Sequence, residues 1–111
     1  MNYIVVLITA PDLQIGRQIA NLLLESKLAA CVNIVPAIHS LYTWEGSIHD
    51  DQEALLIVKT RVDLLADQLI PAVQAIHPYD LPEIIALPIV AGSLPYLNWI
   101  GSVTKSPDSA S

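Results

Sequence analysis

The run Cys31–Glu45 alternates between apolar and polar residues, and that pattern restricts the fold more than any other stretch of the chain. Val32, Ile34, Ile38, Tyr42 and Trp44 share one parity; Asn33, His39, Thr43 and Glu45 share the other. A period of two predicts a half-buried strand, here with Pro36 inside it. Gly46-Ser47 reads as the turn, and a second strand follows from Ile48 to Thr60, polar first and then apolar through Leu55-Leu56-Ile57-Val58. With that turn His49 faces Trp44, and His39 lies about 16 Å further along, too far for the two imidazoles to chelate one ion within a chain.

Fully extended, Cys31–Glu45 would span roughly 50 Å, whereas strands in globular proteins seldom exceed about 10 residues. The outer part of the hairpin, with Leu41, Tyr42, Trp44 and Ile48, must therefore protrude. Aromatic rings seldom project alone into water, and an open strand edge invites another strand. The hairpin thus predicts burial against further copies of the chain.

The remaining elements fit around this pair. Tyr3–Thr9 is a continuous apolar run, a buried strand, stopped by Thr9-Ala10-Pro11-Asp12. Leu13–Lys27 repeats Ile15, Ile19, Leu22 and Leu23 at helical spacing, and Thr9 or Asp12 is placed to cap it. Thr60 with Asp63 resembles a capping box, opening a helix that runs to about Ile76. Ile84–Val90 reads as a last strand, and Ser93 as the cap of a final helix to about Val103.

The order β-α-β-β-α-β with a terminal helix predicts an α+β chain, a ferredoxin-like sandwich with a long hairpin between its second and third strands. In that arrangement the first and third strands are central. Proline cannot donate to a strand ladder and belongs on edges or at bulges. Pro36 and Pro88 lie in the second and fourth strands, and the other two strands have none. Residues 1–104 are expected to form one domain, with 105–111 a flexible tail.

Composition supports association. Hydrophobic residues make up 53% and charged residues 14%, against about 25% charged in an ordinary soluble domain. A net charge of −6 argues against nucleic acid and favours cations or cationic partners. The apolar stretches are too short and interrupted to span a bilayer. A single cysteine and no visible signal peptide predict a reducing, cytoplasmic setting.

Candidate chemistry centres on a few side chains. Cys31, His39, His49 and His77 are the soft or borderline metal donors, with Asp50, Asp51, Glu53, Asp80 and Glu83 as helpers. Cys31 reads either as a ligand or as a small buried hydrophobe. His77 opens the rigid segment His77-Pro78-Tyr79-Asp80-Leu81-Pro82-Glu83 and reads either as a ligand or as a partner of helix carbonyls. Lys59 and Glu83 are either solvated strand ends or, with Tyr42, Trp44 and Glu45, the polar groups of a small-ligand cleft. Tyr96 and Trp99 read as core or interface aromatics, or as contacts in that cleft. A phosphate loop and a nucleophile elbow are both missing, so no catalytic residue is assigned.

Thr9-Ala10-Pro11, Leu28-Ala29-Ala30-Cys31-Val32-Asn33-Ile34, Tyr42-x-Trp44-x-Gly46, Glu53 with Lys59-Thr60, His77-Pro78-Tyr79-x-x-Pro82-Glu83 and Tyr96-Leu97-x-Trp99 together resemble the CutA divalent-cation tolerance family, over residues 3–103. The resemblance implies a homotrimer whose long hairpins link neighbouring sheets. It implies a non-enzymatic role in tolerance of copper and other divalent metals, with Cys31 and His77 as the metal-linked positions. Where some members carry a second cysteine before Thr-Ala-Pro, this chain has Ile8. It also implies inter-subunit clefts at Tyr42, Trp44, Glu45, Lys59, Glu83, Tyr96 and Trp99, similar to those of trimeric PII-type signal transducers. Those clefts would take a small molecule, and the chain would report to a protein partner not yet identified.

Overall fold

Alternate residues of the first strand, β1 (Tyr3–Ala10), are buried: Ile4, Val6, Ile8 and Ala10 face the core. They lie opposite Thr60, Val58, Leu56 and Ala54 of β3 (Ser47–Arg61), which are buried as well. Helix α1 (Leu13–Glu25) closes this face with Gly16, Ile19, Ala20 and Leu23. Each fully buried Leu or Ile there stabilises the fold by about 1.5–3 kcal/mol. Gly16 lets the helix sit close, since a Cβ would meet Leu56 Cδ1 at 3.3 Å. The computed structural model describes residues 2–106.

The sheet is antiparallel, in the order β2-β3-β1-β4, with β2 spanning Cys31–Trp44 and β4 spanning Ile84–Pro88. The proline argument holds: β1 and β3 are central. Pro36 falls in a bulge between Val35 and Ile38, and Pro88 is the last residue of an edge strand. The chain is 43 Å in its longest dimension, and its radius of gyration is 14.5 Å, against about 13 Å for a compact domain of this length. The excess is the hairpin, whose outer residues Leu41 and Ile48 are 68% and 80% exposed.

Helix α1 ends as its sequence dictates. Asp12 Oδ1 accepts the Ile15 N–H at 2.9 Å, as expected of a cap. The helix stops at Glu25, two residues before the expected Lys27, because Lys27 turns left-handed at φ 59°. Leu28 N–H then bonds Leu23 O, and Lys27 N–H bonds Leu24 O, a Schellman closure.

Three local expectations are corrected. The hairpin turn is Glu45-Gly46, both at positive φ, so His49 faces Tyr42, with Trp44 opposite Ser47. That is the geometry of a tight two-residue turn, whose twist matches the flanking strands. Thr60 does not cap a helix. Strand β3 runs on to Arg61, and Thr60 Oγ1 donates to Leu28 O at 2.6 Å from a fully buried position. The second helical segment is irregular: a 3-10 turn at Val62–Leu64, a π-helical stretch at Leu65–Leu69, then α2 at Ile70–Ile76. Pro71 lacks an N–H and its ring clashes with a carbonyl one turn back, so the ladder widens before it.

Helix α3 (Leu94–Val103) packs against β3. Arg61 fixes its end, donating to Thr104 Oγ1 at 3.0 Å and to Lys105 O at 2.9 Å. Lys105 is therefore held, although a tail was expected from there; residues 107–111 lie outside the described residues. Ser93 precedes α3 without a side-chain cap bond. Among the described residues no helix is long and apolar enough to cross a membrane.

Candidate functional site

Strand alternation and one loop build a cleft beside the base of the hairpin. Beyond the bulge, Tyr42 and Trp44 of β2 share a sheet face with Asp51 and Glu53 of β3. The loop after α2 brings Tyr79, Asp80 and Glu83 to the same place, and Thr9 of β1 completes the wall. The resulting cavity has a volume of about 650 Å³.

Two phenol–carboxylate contacts organise it. Tyr79 Oη donates to Glu53 Oε2 at 2.8 Å, and Tyr42 Oη donates to Asp51. Burial, followed by the bond to Glu53, pushes the Tyr79 phenol far above its ordinary range. Tyr42 is raised too, chiefly by its bond to Asp51. Both phenols therefore stay protonated donors at neutral pH.

His77 ties the loop down. Its Nε2 donates to the Thr9 carbonyl at 2.7 Å, and its Nδ1 accepts the Tyr79 N–H at 3.2 Å. A carbonyl only accepts and an N–H only donates, so the partners fix a neutral ring protonated on Nε2. Both ring nitrogens are used inside the chain. His77 N–H also closes α2 by bonding Val73 O.

Cys31 sits at the other end of the sheet. It pairs with Lys59, whose ammonium lies 3.9 Å from the thiol sulfur and also bonds Asn33. Tyr96 of α3 approaches the same thiol; burial, then Cys31, raises its phenol. Trp99 packs against Tyr96, ring centroids 5.5 Å apart. Lys59 is opposite Val5 and Leu55 is opposite Thr9. Cys31 and the His77 ring are thus separated by about 13 Å along the strands, and by two strands across.

The residues expected from sequence therefore divide. Tyr42, Trp44 and Glu83 meet in the cleft. Glu45 is in the hairpin turn, and Lys59, Tyr96 and Trp99 gather around Cys31. Cys31 and His77 do not converge within the chain, and no group of three or more His, Cys, Asp or Glu is placed to hold a metal among the described residues. His39 lies 3.8 Å from Asp50, an exposed pair. Sequence reasoning passed over Glu53 as a centre of the site. Its signal was there: a carboxylate at the head of an apolar run, on a strand whose next residues are buried.

Comparison with known proteins gives one consistent result. The family model described as CutA1 divalent ion tolerance protein matches residues 4–103. The chain is 52% identical over 103 residues to "Protein CutA, chloroplastic" of Arabidopsis thaliana, covering 93% of this chain and 56% of that one. It therefore spans little more than half the length of the plant relative. It is 51% identical over 96 residues to "Divalent-cation tolerance protein CutA" of Thermus thermophilus, covering 86% of this chain and 92% of the relative. A crystal structure of CutA1 from Oryza sativa superposes with a TM-score of 0.91 at 50% identity, covering 95% of each chain. With the family pattern matched along nearly all the described residues and the fold shared, this chain belongs to the CutA1 divalent ion tolerance family.

Proposed function

We propose that the chain works as a non-enzymatic homotrimer that binds divalent metal, copper among them, and so contributes to metal tolerance. The observation that carries this reading is the family match over residues 4–103. The order β2-β3-β1-β4 supports reading the subunit as ferredoxin-like. The exposed hairpin residues Leu41, Trp44 and Ile48, with Ile85 and Leu87 on edge strand β4, support burial against sister subunits. A cytoplasmic setting rests on the lone Cys31, and at least one relative is named chloroplastic.

Cys31 is the soft donor of the proposed copper site, as a half-buried thiol with a cation beside it. His77 can join only by giving up its bond to Thr9 or to Tyr79, and only where the assembly brings it to a neighbour's thiol. Because its ring is committed to the backbone, it also makes a poor proton-transfer base, which supports the non-enzymatic reading. The PII-like alternative drew on Lys59 and Glu83 facing one cleft. Within a subunit they sit at opposite ends of the sheet, so that reading and its protein partner depend on neighbouring chains.

Calorimetric titration with copper tests the proposal on wild type, Cys31→Ser and His77→Ala, each first checked for folding and for a mass three times the chain's 12.1 kDa. Saturable heat lost in Cys31→Ser supports it. Equal weak heats in all three proteins, or a single-chain mass at low micromolar concentration, would sink it.

A further inference from the structure

We propose that Cys31 and Lys59 are the two halves of a reversible redox switch: peroxide oxidises the thiol, and a covalent sulfur–nitrogen bond then joins the two side chains. The switch stands without the metal reading. Where that reading holds, the new bond removes the proposed copper donor.

The sheet builds the pair. Cys31 of β2 and Lys59 of β3 are directly opposite in the antiparallel register, so their side chains stand on one sheet face. Side chains of such a pair start from Cβ atoms about 4.5–5.5 Å apart. The Lys59 nitrogen lies 3.9 Å from the Cys31 sulfur. Asn33, two residues along β2 and so on the same face, accepts a bond from that nitrogen and holds it at this end of the strand. Both reacting residues are half-buried. The register of neighbouring strands in one chain sets this contact, so it is the same in a single chain and in an assembly.

Neither half has a partner in the chain that would divert it. The ion pairs among the described residues, His39–Asp50 and Arg61–Asp63, do not include Lys59, so no carboxylate holds its nitrogen. Cys31 is the single cysteine, so no second thiol of the chain can resolve an oxidised sulfur as a disulfide. The nucleophile beside that sulfur is the lysine nitrogen.

The steps balance. Hydrogen peroxide takes two electrons from the thiol, giving a sulfenic acid on Cys31 and one water. The Lys59 ammonium gives a proton to water, and the amine attacks the sulfur. The nitrogen–sulfur bond forms, the sulfur–oxygen bond breaks, and the hydroxyl leaves with a proton from nitrogen as a second water. The product is the protein less two hydrogens. An added thiol attacks the bonded sulfur and frees Lys59, and a second equivalent restores the Cys31 thiol and leaves the reductant as its disulfide.

Mass spectrometry of the full chain after hydrogen peroxide, on wild type, Lys59→Arg and Cys31→Ser, tests the switch, with circular dichroism to establish that each protein is folded. Wild type is expected to lose two hydrogens and to regain them with dithiothreitol. Trypsin, which needs a free lysine side chain, should then stop cutting after Lys59, so that peptide 28–61 replaces peptide 28–59. Lys59→Arg keeps the charge but has no amine to condense; its sulfur should go on to sulfinic acid, with a several-fold higher yield than in wild type. Cys31→Ser should show neither product. Sulfinic acid in wild type at the yield of Lys59→Arg, continued cutting after Lys59, a disulfide between two chains as the main product, or a thiol untouched by peroxide would overturn the proposal. A cross-link that forms in a protein indifferent to copper supports the switch and sinks the metal reading instead.

Discussion

The Tyr79 phenol and the Glu53 carboxylate meet at 2.8 Å across 26 residues of sequence, joining the loop after α2 to the middle strand β3. The contact holds one wall of the cleft and supplies a hydrogen bond to a buried charge. Tyr79→Phe keeps the ring and removes the donor. Hydrogen bonds to charged groups contribute about 1.5–3 kcal/mol, so the variant is expected to lose about 1–2 kcal/mol once water reaches the open side of Glu53. Urea denaturation checks it. An unchanged midpoint would mean that Glu53 is already satisfied by solvent.

The same phenol gives the alkaline limb of stability its direction. Burial and Glu53 raise Tyr79, and Asp51 raises Tyr42, above the ordinary 10.0. In the unfolded chain these phenols ionise near pH 10; in the folded chain they hold their protons higher. The native state therefore binds more protons above pH 10, and stability falls as pH rises through that range. Below it the contribution is fully present. Melting temperature is expected to be level up to about pH 10 and to drop beyond it, less steeply in Tyr79→Phe. Equal slopes in the two proteins would remove Tyr79 as the cause.

Much of this was legible in the residues. Alternation in Cys31–Glu45 and the continuous apolar run Tyr3–Thr9 showed the strands, and Pro36 and Pro88 placed the edges. The parts that were not legible depended on contacts distant in sequence. Thr60 looks like a cap because Asp63 follows it, yet its hydroxyl is taken by Leu28 on a neighbouring segment. His77 was singled out, but its two partners, Thr9 O and Tyr79 N, are backbone atoms that no side-chain pattern advertises. Glu53 was one acid among several until the loop brought Tyr79 to it. The turn was misplaced by one residue because Gly46-Ser47 is an ordinary turn pair, whereas the left-handed conformation of Glu45 has no signal in its chemistry.

Thr60 makes the next test. Its side chain is fully buried, and Oγ1 donates to Leu28 O at 2.6 Å. Thr60→Val is nearly isosteric and leaves that carbonyl without its side-chain donor. The expected cost is about 1–3 kcal/mol, whereas Thr60→Ser keeps the bond and loses one methyl. Chemical denaturation of both separates the terms. If valine proves no worse than serine, the hydroxyl contributes nothing.

Lys27 occupies the position at which a helix closure usually has glycine. At φ 59° its Cβ crowds the backbone, a strain that glycine does not feel. Lys27→Gly should stabilise the chain by about 0.5–1 kcal/mol, after subtracting the greater freedom of glycine in the unfolded state. Among the described residues the Lys27 side chain makes no ion pair that would be lost. A thermal melt checks it, and a lower midpoint would show that the lysine contributes in some other way.

Glu45 carries the same strain at the tip of the hairpin. It adopts φ 51° and is followed by Gly46 at φ 80°, so both central residues of the turn are left-handed. Asparagine tolerates that conformation far better than glutamate, and Asn-Gly is the preferred pair for such a turn. Glu45→Asn should therefore stabilise the hairpin by about 0.5–1 kcal/mol, and Glu45→Val, β-branched, should weaken it. Amide hydrogen exchange in β2 and β3 reports the effect where it arises, with slower exchange expected in Glu45→Asn. The register depends on this turn. A one-residue slip in the pairing of β2 with β3 would move Tyr42 to the opposite face, away from Asp51, and dismantle the cleft. Faster exchange in the asparagine variant would mean that the tip is held by its neighbours and that its own backbone preference does not set the pairing.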